Sequence, residues 1–289
     1  MEPTPLQTAI LTAVAKYRFM TNSQLGMILT AHPDSIRKAT RALSHVPKPL
    51  LIKQSLPVHS RLGRLENVHR LSPQGASVLA ELEELAEPPL IPKSGAYALD
   101  IPHRKAVIDF RIRLDLIQRR RKFNIETWDN YFDKSGANHR KGAGKPLQSR
   151  TRISFRDGTF FIPDTLLVLR ADRHRLLFAL EMIRGEKKTR TLRQVARHMK
   201  ALEEGNLVCK YGIPSGQDYV ALFLFERQAL AEKVQNALTE QIAFIPFREH
   251  FLFATVADSQ RNVAGCWRKV GNTRFLFDFI TGKPSFRLL

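Results

Sequence analysis

Two apolar runs, "TLLVL" at 165–169 and "LLFAL" at 176–180, narrow the fold more than any other feature of the chain. A short unbroken run of this kind marks a strand buried on both sides rather than one with a wet face. Around the runs the hydrophobic period changes in a fixed order. "HRKAVIDFRIRLDLIQRRRK" (103–122) reads as a helix with Val107, Phe110, Ile112, Leu114 and Ile117 among its apolar positions. "FNIETWDNY" (123–131) alternates as a strand, and "TRISFRDGTFFIPDTLLVLR" (151–170) carries the hairpin signal Asp157-Gly158 between extended segments. After "LLFALEMI" come a helix (191–204), a strand (218–225), a helix (226–241) and a strand (250–258). Helix, three strands, helix, strand, helix, strand predicts an α/β sheet with helices on its faces.

The chain has 289 residues, which favours two domains over one. Its 46 Lys and Arg against 27 Asp and Glu leave a formal charge of +19, an excess that repels itself unless a polyanion neutralises it. Nucleic acid is the leading partner, and double-stranded DNA the expected form. A membrane-surface role has less behind it, because no run of about 18 apolar residues and no isolated basic amphipathic helix occurs. The start, "MEPTPLQTAI", lacks a basic segment followed by an apolar one, and Cys209 and Cys266 lack metal-ligand or disulfide-framework spacing, so the expected compartment is a reducing cytoplasm.

The first segment has its own pattern. Leu6, Ala9, Ile10, Ala13, Val14 and Tyr17 form a helical face, Thr21 or Asn22 opens a second helix, and Asp34 or Ser35 opens a third. In the third, Ile36, Ala39 and Leu43 face a core and leave Arg37, Lys38 and Arg41 outward. Two extended runs follow, "PLLIKQSL" and "ENVHRLS", joined by "PVHSRLGRL" with Arg61 and Arg64 near the turn, and Ser72 or Pro73 then opens another helix. A hairpin with arginines at its tip suits phosphate contacts that position without reading sequence. Residues 1–75 hold ten Lys and Arg against Glu2, Asp34 and Glu66. The outward cations of the third helix also suit an ordinary solvated face.

Over residues 5–85 this order, including a strand that ends in Leu-Ser-x-x-Gly, resembles the winged helix-turn-helix family. The resemblance implies a recognition helix in Arg37, Lys38 and Arg41 and a wing in Arg61 and Arg64. "ELEELAEPPLIPKSG" (81–95) ends the unit with three prolines and a glycine, a composition that stops a helix and stiffens a connector. The expected domains are therefore 1–88 and 96–289.

In the second domain Asp164, after Pro163, precedes one buried run and Glu181 closes the next. Two such charges at about 4 Å cost roughly 4 kcal/mol near a protein surface, and a divalent cation is the usual offset. The other offset is a nearby arginine, for which Arg170 and Arg184 are at hand. The order of elements with "IPDTLLVL" and the acidic residue on the following strand resembles the PD-(D/E)xK restriction-endonuclease-like fold. That resemblance implies a mixed-sheet domain in which Asp164 and Glu181 bind Mg²⁺ or Mn²⁺ for phosphodiester cleavage. Two residues after Glu181, where that family has lysine, stands Ile183; Arg184, Lys187 or Lys188 from the following turn are the substitutes, with Lys187 chosen. Asp109 and Asp115 are candidates for an acid from the preceding helix.

The winged helix, "IPDTLLVL" and "LEMIRGEKKTRTLRQVARHMKAL" together resemble the replication-relaxation family of plasmid and integrative-element mobilisation proteins. What that implies is a DNA-binding protein of a mobile element, acting in conjugative transfer or replication beside other mobilisation or replication proteins, with relaxase-like nicking if the site is active. The alternative is a DNA-binding accessory protein or transcriptional regulator with a degenerate nuclease fold. A defence or repair nuclease is the third reading.

The loop "DKSGANHRKGAGKPLQSRTRISFR" (133–156) holds seven Lys and Arg against one acid, and Arg140, Lys141 and Lys145 in it suit a DNA backbone or simple solvation. His103, His139, His174 and His198 have no zinc-like spacing and read as structural or surface residues. No glycine-rich phosphate loop and no cysteine nucleophile setting occurs.

Overall fold

The computed structural model describes the chain apart from residues 1, 57, 60–62, 86–87, 90, 92–99, 120–122, 137–146, 172–173, 215–217, 272–273 and 276–289. It is a mixed α/β protein that divides into two compact units, Met1–Ile112 and Arg113–Leu289.

The first unit opens with α1 (Pro5–Tyr17), β1 (Met20–Thr21), α2 (Asn22–Leu29) and α3 (Pro33–Ser44). Thr4 and Thr21 cap α1 and α2 through matching boxes, each threonine side chain accepting from a glutamine amide three residues on. The cap of α3 differs from the Asp34 or Ser35 expected: it is His32, whose Nδ1 accepts from the Asp34 amide at 3.3 Å. Pro33 decides this, since a residue without an N–H is best placed at the first helical position. Ile36, Ala39 and Leu43 are buried as their spacing predicts, together with Thr40. Next come β2 (Leu51–Gln54), a small ribbon of 58–59 on 63–64, β3 (Val68–Leu71) and α4 (Pro73–Leu82). The strands form an antiparallel sheet in the order β1-β3-β2. Ser72 is the cap of α4 and Pro73 its first residue.

Helix α5 (Ile101–Gln118) crosses from one unit into the other, so the units divide inside a helix and not in the proline-rich stretch, part of which lies outside the described residues. Its first half is tied into unit 1 because Gln24 Nε2 donates to the Lys105 carbonyl at 3.2 Å and to Asp109 Oδ1 at 2.8 Å.

His69, on the central strand of this sheet, is 2 % exposed, and among the described residues neither ring nitrogen has a hydrogen-bond partner. Burial lowers its pKa to about 4, with the Lys53 charge pushing the same way and Glu66 against. The folded state thus binds fewer protons than the unfolded state between pH about 4 and about 6.5. Stability is fully present above that window and lost as pH falls through it, by about 2 kcal/mol at about pH 5. Urea unfolding of wild type and His69→Leu at neutral and acid pH checks this. The variant is expected to lose less stability on acidification by that amount, and parallel losses would refute it.

Unit 2 is built on β4 (Asn124–Asn130), β5 (Thr165–Ala171), β6 (His174–Ile183), α6 (Lys188–Glu204), α7 (Asn206–Lys210), β7 (Val220–Phe225), α8 (Gln228–Thr239), β8 (Phe251–Thr255), α9 (Val256–Asn262), β9 (Trp267–Arg268) and β10 (Arg274–Phe275). The seven strands lie in the order β10-β9-β8-β7-β6-β5-β4. β4, β5 and β6 form an antiparallel meander, whereas β6, β7 and β8 are parallel, joined by crossovers through α6 and α8. Asp157-Gly158 does turn a hairpin, but of 153–154 on 160–161 as a separate ribbon, with Gly158 at φ +81°. Leu166 to Leu169 and Leu177 to Ile183 are buried on both faces of the sheet, which is why their sequence shows no alternation. One face carries Leu166, Val168, Leu177, Ala179, Ile183, Phe223 and Phe253 in a core beneath α6 and α8. Among the described residues no helix is long and apolar enough to cross a membrane.

Candidate functional site

Asp164 and Glu181 meet at the edge of the meander. The antiparallel register of β5 on β6, Thr165 opposite Leu180 and Leu166 opposite Ala179, sets Asp164 across from Glu181. Strand alternation puts both on the face that carries Leu166, Ala179 and Ile183, under α6. The Pro163-Asp164 corner is fixed by its backbone: Thr151 Oγ1 donates to the Pro163 carbonyl at 2.7 Å and the Tyr131 amide to the Asp164 carbonyl at 2.9 Å. Asp164 Oδ2 accepts from the Met182 amide at 2.7 Å, which turns its carboxylate toward β6.

Glu181 is 1 % exposed, and both of its oxygens are engaged by α6. Gln194 Nε2 donates to Oε2 at 2.8 Å, and His198 Nε2 lies 3.0 Å from Oε1. His198 Nδ1 lies 3.0 Å from the Tyr219 hydroxyl, which itself donates to the His198 carbonyl at 3.1 Å. A hydroxyl has one proton. With that proton on the carbonyl, Nδ1–H donates to the Tyr219 oxygen, and in a neutral ring Nε2 then keeps its lone pair and accepts the proton of Glu181. Burial acts in the same direction. It raises the Glu181 pKa well above the usual carboxylate range, the Asp164 charge adding to it, while Gln194, Arg190 and Arg197 oppose. Burial also lowers that of His198 to about 3. Both shifts favour a neutral acid on a neutral imidazole over an ion pair.

Gln194 and His198 are the site residues that sequence reading did not assign to this role. Their signal was the four-residue spacing, which puts both on the sheet-facing side of one helix.

The other candidates fall differently. Ile183, two residues beyond Glu181, is an aliphatic side chain buried in the core. Lys187 is exposed at the cap position of α6, and among the described residues its side chain makes no hydrogen bond or ion pair with either carboxylate. Arg170 pairs with Glu126 at 3.2 Å and Arg184 with Glu226 at 3.4 Å. Asp109 is taken up inside unit 1 by Gln24 and Lys105. Asp115 is buried, and among the described residues no three His, Cys, Asp or Glu side chains gather as a ligand group.

In unit 1, Arg37, Lys38 and Arg41 are exposed along α3, with Arg37 also reaching Asp34 at 2.9 Å. Arg61, Arg140, Lys141 and Lys145 lie outside the described residues, as does the side chain of Arg64, whose backbone belongs to the 63–64 strand.

Mg²⁺ asks a protein for one or two carboxylates and fills the rest of its shell with water and phosphate oxygens. Asp164 and Glu181 supply two side by side, so the donor set fits, on the condition that Glu181 gives up the proton it shares with His198.

The family model described as replication-relaxation matches residues 11–213, well over half of the chain. The protein belongs to the replication-relaxation family. No curated protein and no solved structure matches it. The matched span of this replication-relaxation protein takes in α3 with its exposed cations, Asp164, Glu181 and all of α6. Membership supports a role in the replication or mobilisation of a plasmid or other mobile element.

Proposed function

We propose that this replication-relaxation protein binds DNA at a mobile element's origin of replication or transfer, through a winged helix in unit 1 and a PD-(D/E)xK-like domain in unit 2. Three helices and a three-stranded antiparallel sheet, with β1 between α1 and α2 and the other two strands after α3, support the first assignment, and Arg37, Lys38 and Arg41 are presented on the third helix. The antiparallel meander, the crossover helix α6 and the parallel strand β7 support the second. The single observation that carries the reading is the meeting of Asp164 and Glu181 on one face of that sheet, in a chain with a charge of +19. Full-length protein is expected to bind origin-bearing duplex, with log K falling steeply against log salt. Replacing Arg37, Lys38 and Arg41 by glutamine is expected to reduce that slope by about 2.7. Binding that ignores salt would remove the electrostatic basis of the reading.

The same meeting of carboxylates favours a second reading, metal-dependent nicking. Asp164 and Glu181 would hold Mg²⁺, which supplies a polarised phosphodiester and an activated water. The protein's own part is to place the two carboxylates and to keep Glu181 dry between Gln194 and His198. With Mg²⁺ or Mn²⁺, wild type is then expected to nick supercoiled plasmid carrying the origin, and Asp164→Asn and Glu181→Gln to fall to background. Nicking by both variants at the wild-type rate would end the catalytic assignment, and none from any of the three would leave the accessory role.

A further inference from the structure

We propose that the arginine face of α6, Arg190, Arg193 and Arg197, is a second nucleic-acid contact that grips phosphates of the strand lying over Asp164 and Glu181. The proposal rests on the DNA-binding reading and adds a site within it. All three side chains are exposed and, among the described residues, make no hydrogen bond or ion pair. Six other arginines of unit 2, Arg150, Arg170, Arg175, Arg184, Arg227 and Arg261, each sit on a carboxylate.

The helix bears these charges at a cost. Arg190 with Arg193, and Arg193 with Arg197, are like-charge neighbours, an arrangement that destabilises a helix. Its first turn holds no acid but carries Lys188 and Arg190, while Glu203 and Glu204 sit in the last turn. That order opposes the macrodipole, which favours anions at the start and cations at the end. A phosphate chain along the helix removes both penalties.

The geometry fits such a chain. At about 100° per residue the three arginines fall within an arc of about 60°, on the flank next to Gln194, while Lys200 beyond them is held by Asp157. Gln194, with His198, is one of the two α6 residues that touch Glu181, so the cations border that site. At about 1.5 Å per residue the row from Arg190 to Arg197 is about 10 Å long. That is the axial length of about three phosphates on one strand of a duplex. An acidic peptide would meet the same charges, but the Asp164 carboxylate beside them repels it. A nucleic-acid strand brings an uncharged sugar and base face along with its phosphates.

Full-length protein with R190Q, R193Q and R197Q together is compared with wild type and with the triple lysine variant, using labelled duplex of arbitrary sequence titrated across salt. The glutamine variant is expected to keep the wild-type far-UV spectrum and to show a log K against log salt slope smaller by about 2.7, while the lysine variant keeps the wild-type slope. A wild type that binds duplex with a slope unchanged in the glutamine variant sinks this inference and leaves DNA binding by unit 1 intact. A wild type that ignores DNA sinks both. Equal affinity for polyglutamate, lost in the same variant, would assign the face to an acidic protein and overturn the proposal.

Discussion

Replacing Gly75 by alanine is expected to destabilise unit 1 by about 3 kcal/mol or more, although the residue is the third of a helix and alanine is the better helix former. The cause is a close approach of backbone to backbone. Ser72 holds the first turn of α4 onto the residues just before β2: its amide donates to the Leu50 carbonyl at 3.1 Å, its hydroxyl donates to the Pro49 carbonyl, and that hydroxyl accepts from the Gly75 amide at 2.8 Å. A Cβ on Gly75 would stand 2.0 Å from the Leu50 carbonyl oxygen and 2.9 Å from its carbon. Neither atom is the end of a flexible side chain, so relief requires the helix to pull away and break the bonds that Ser72 makes. Gly26 is the control. It also lies inside a helix, but the nearest atom to its Cβ is the Ala31 carbonyl oxygen at an ordinary 3.5 Å. Gly26→Ala is expected to stabilise by about 0.5–1 kcal/mol through helix propensity. Urea midpoints of the two variants against wild type check both signs, and a Gly75→Ala midpoint equal to wild type would refute the packing argument.

This contrast shows what the sequence can carry. The Leu-Ser-x-x-Gly pattern at 71–75 was readable as a strand feeding a helix, because serine caps and glycine punctuation act locally. Why the glycine is required was not readable, since Leu50 is distant in sequence. Unit 2 divides the same way. Unbroken apolar runs gave β5 and β6, and the pair of acids beside them drew notice because a buried charge demands a partner. The partner itself comes from α6, where Gln194 and His198 look like any polar residues of a basic helix until the crossover lays that helix over the sheet. The division of the chain inside α5 was hidden for a related reason. Composition marked the prolines after α4, but the ties that bind the start of α5 to unit 1 run from Gln24, whose side chain gives no local sign of its reach.

Truncating His198 to alanine is expected to cost unit 2 about 4 kcal/mol, and Glu181→Gln to cost under about 1. His198 has no exposure, and its ring packs edge-on to Phe161 at 4.9 Å, Phe223 at 5.7 Å and Phe251 at 6.4 Å. Alanine therefore leaves a cavity among aromatic rings, and it strips Glu181 and Tyr219 of a hydrogen bond where no water replaces it. Glutamine at 181 is a different test, because it keeps the shape and removes only the ability to ionise. If Glu181 is a neutral acid giving its proton to His198 Nε2, an amide N–H can take over that bond, and the amide oxygen can go on accepting from Gln194. If instead the pair were a carboxylate on an imidazolium, glutamine would strand a buried cation, a loss of about 3–5 kcal/mol. Chemical unfolding of the two variants at neutral pH separates the cases: a Glu181→Gln loss as large as that of His198→Ala would show that the pair is ionic. A small loss means that any cation entering beside Asp164 must first displace a proton from Glu181, so the same variant reads both the fold and the condition for metal binding.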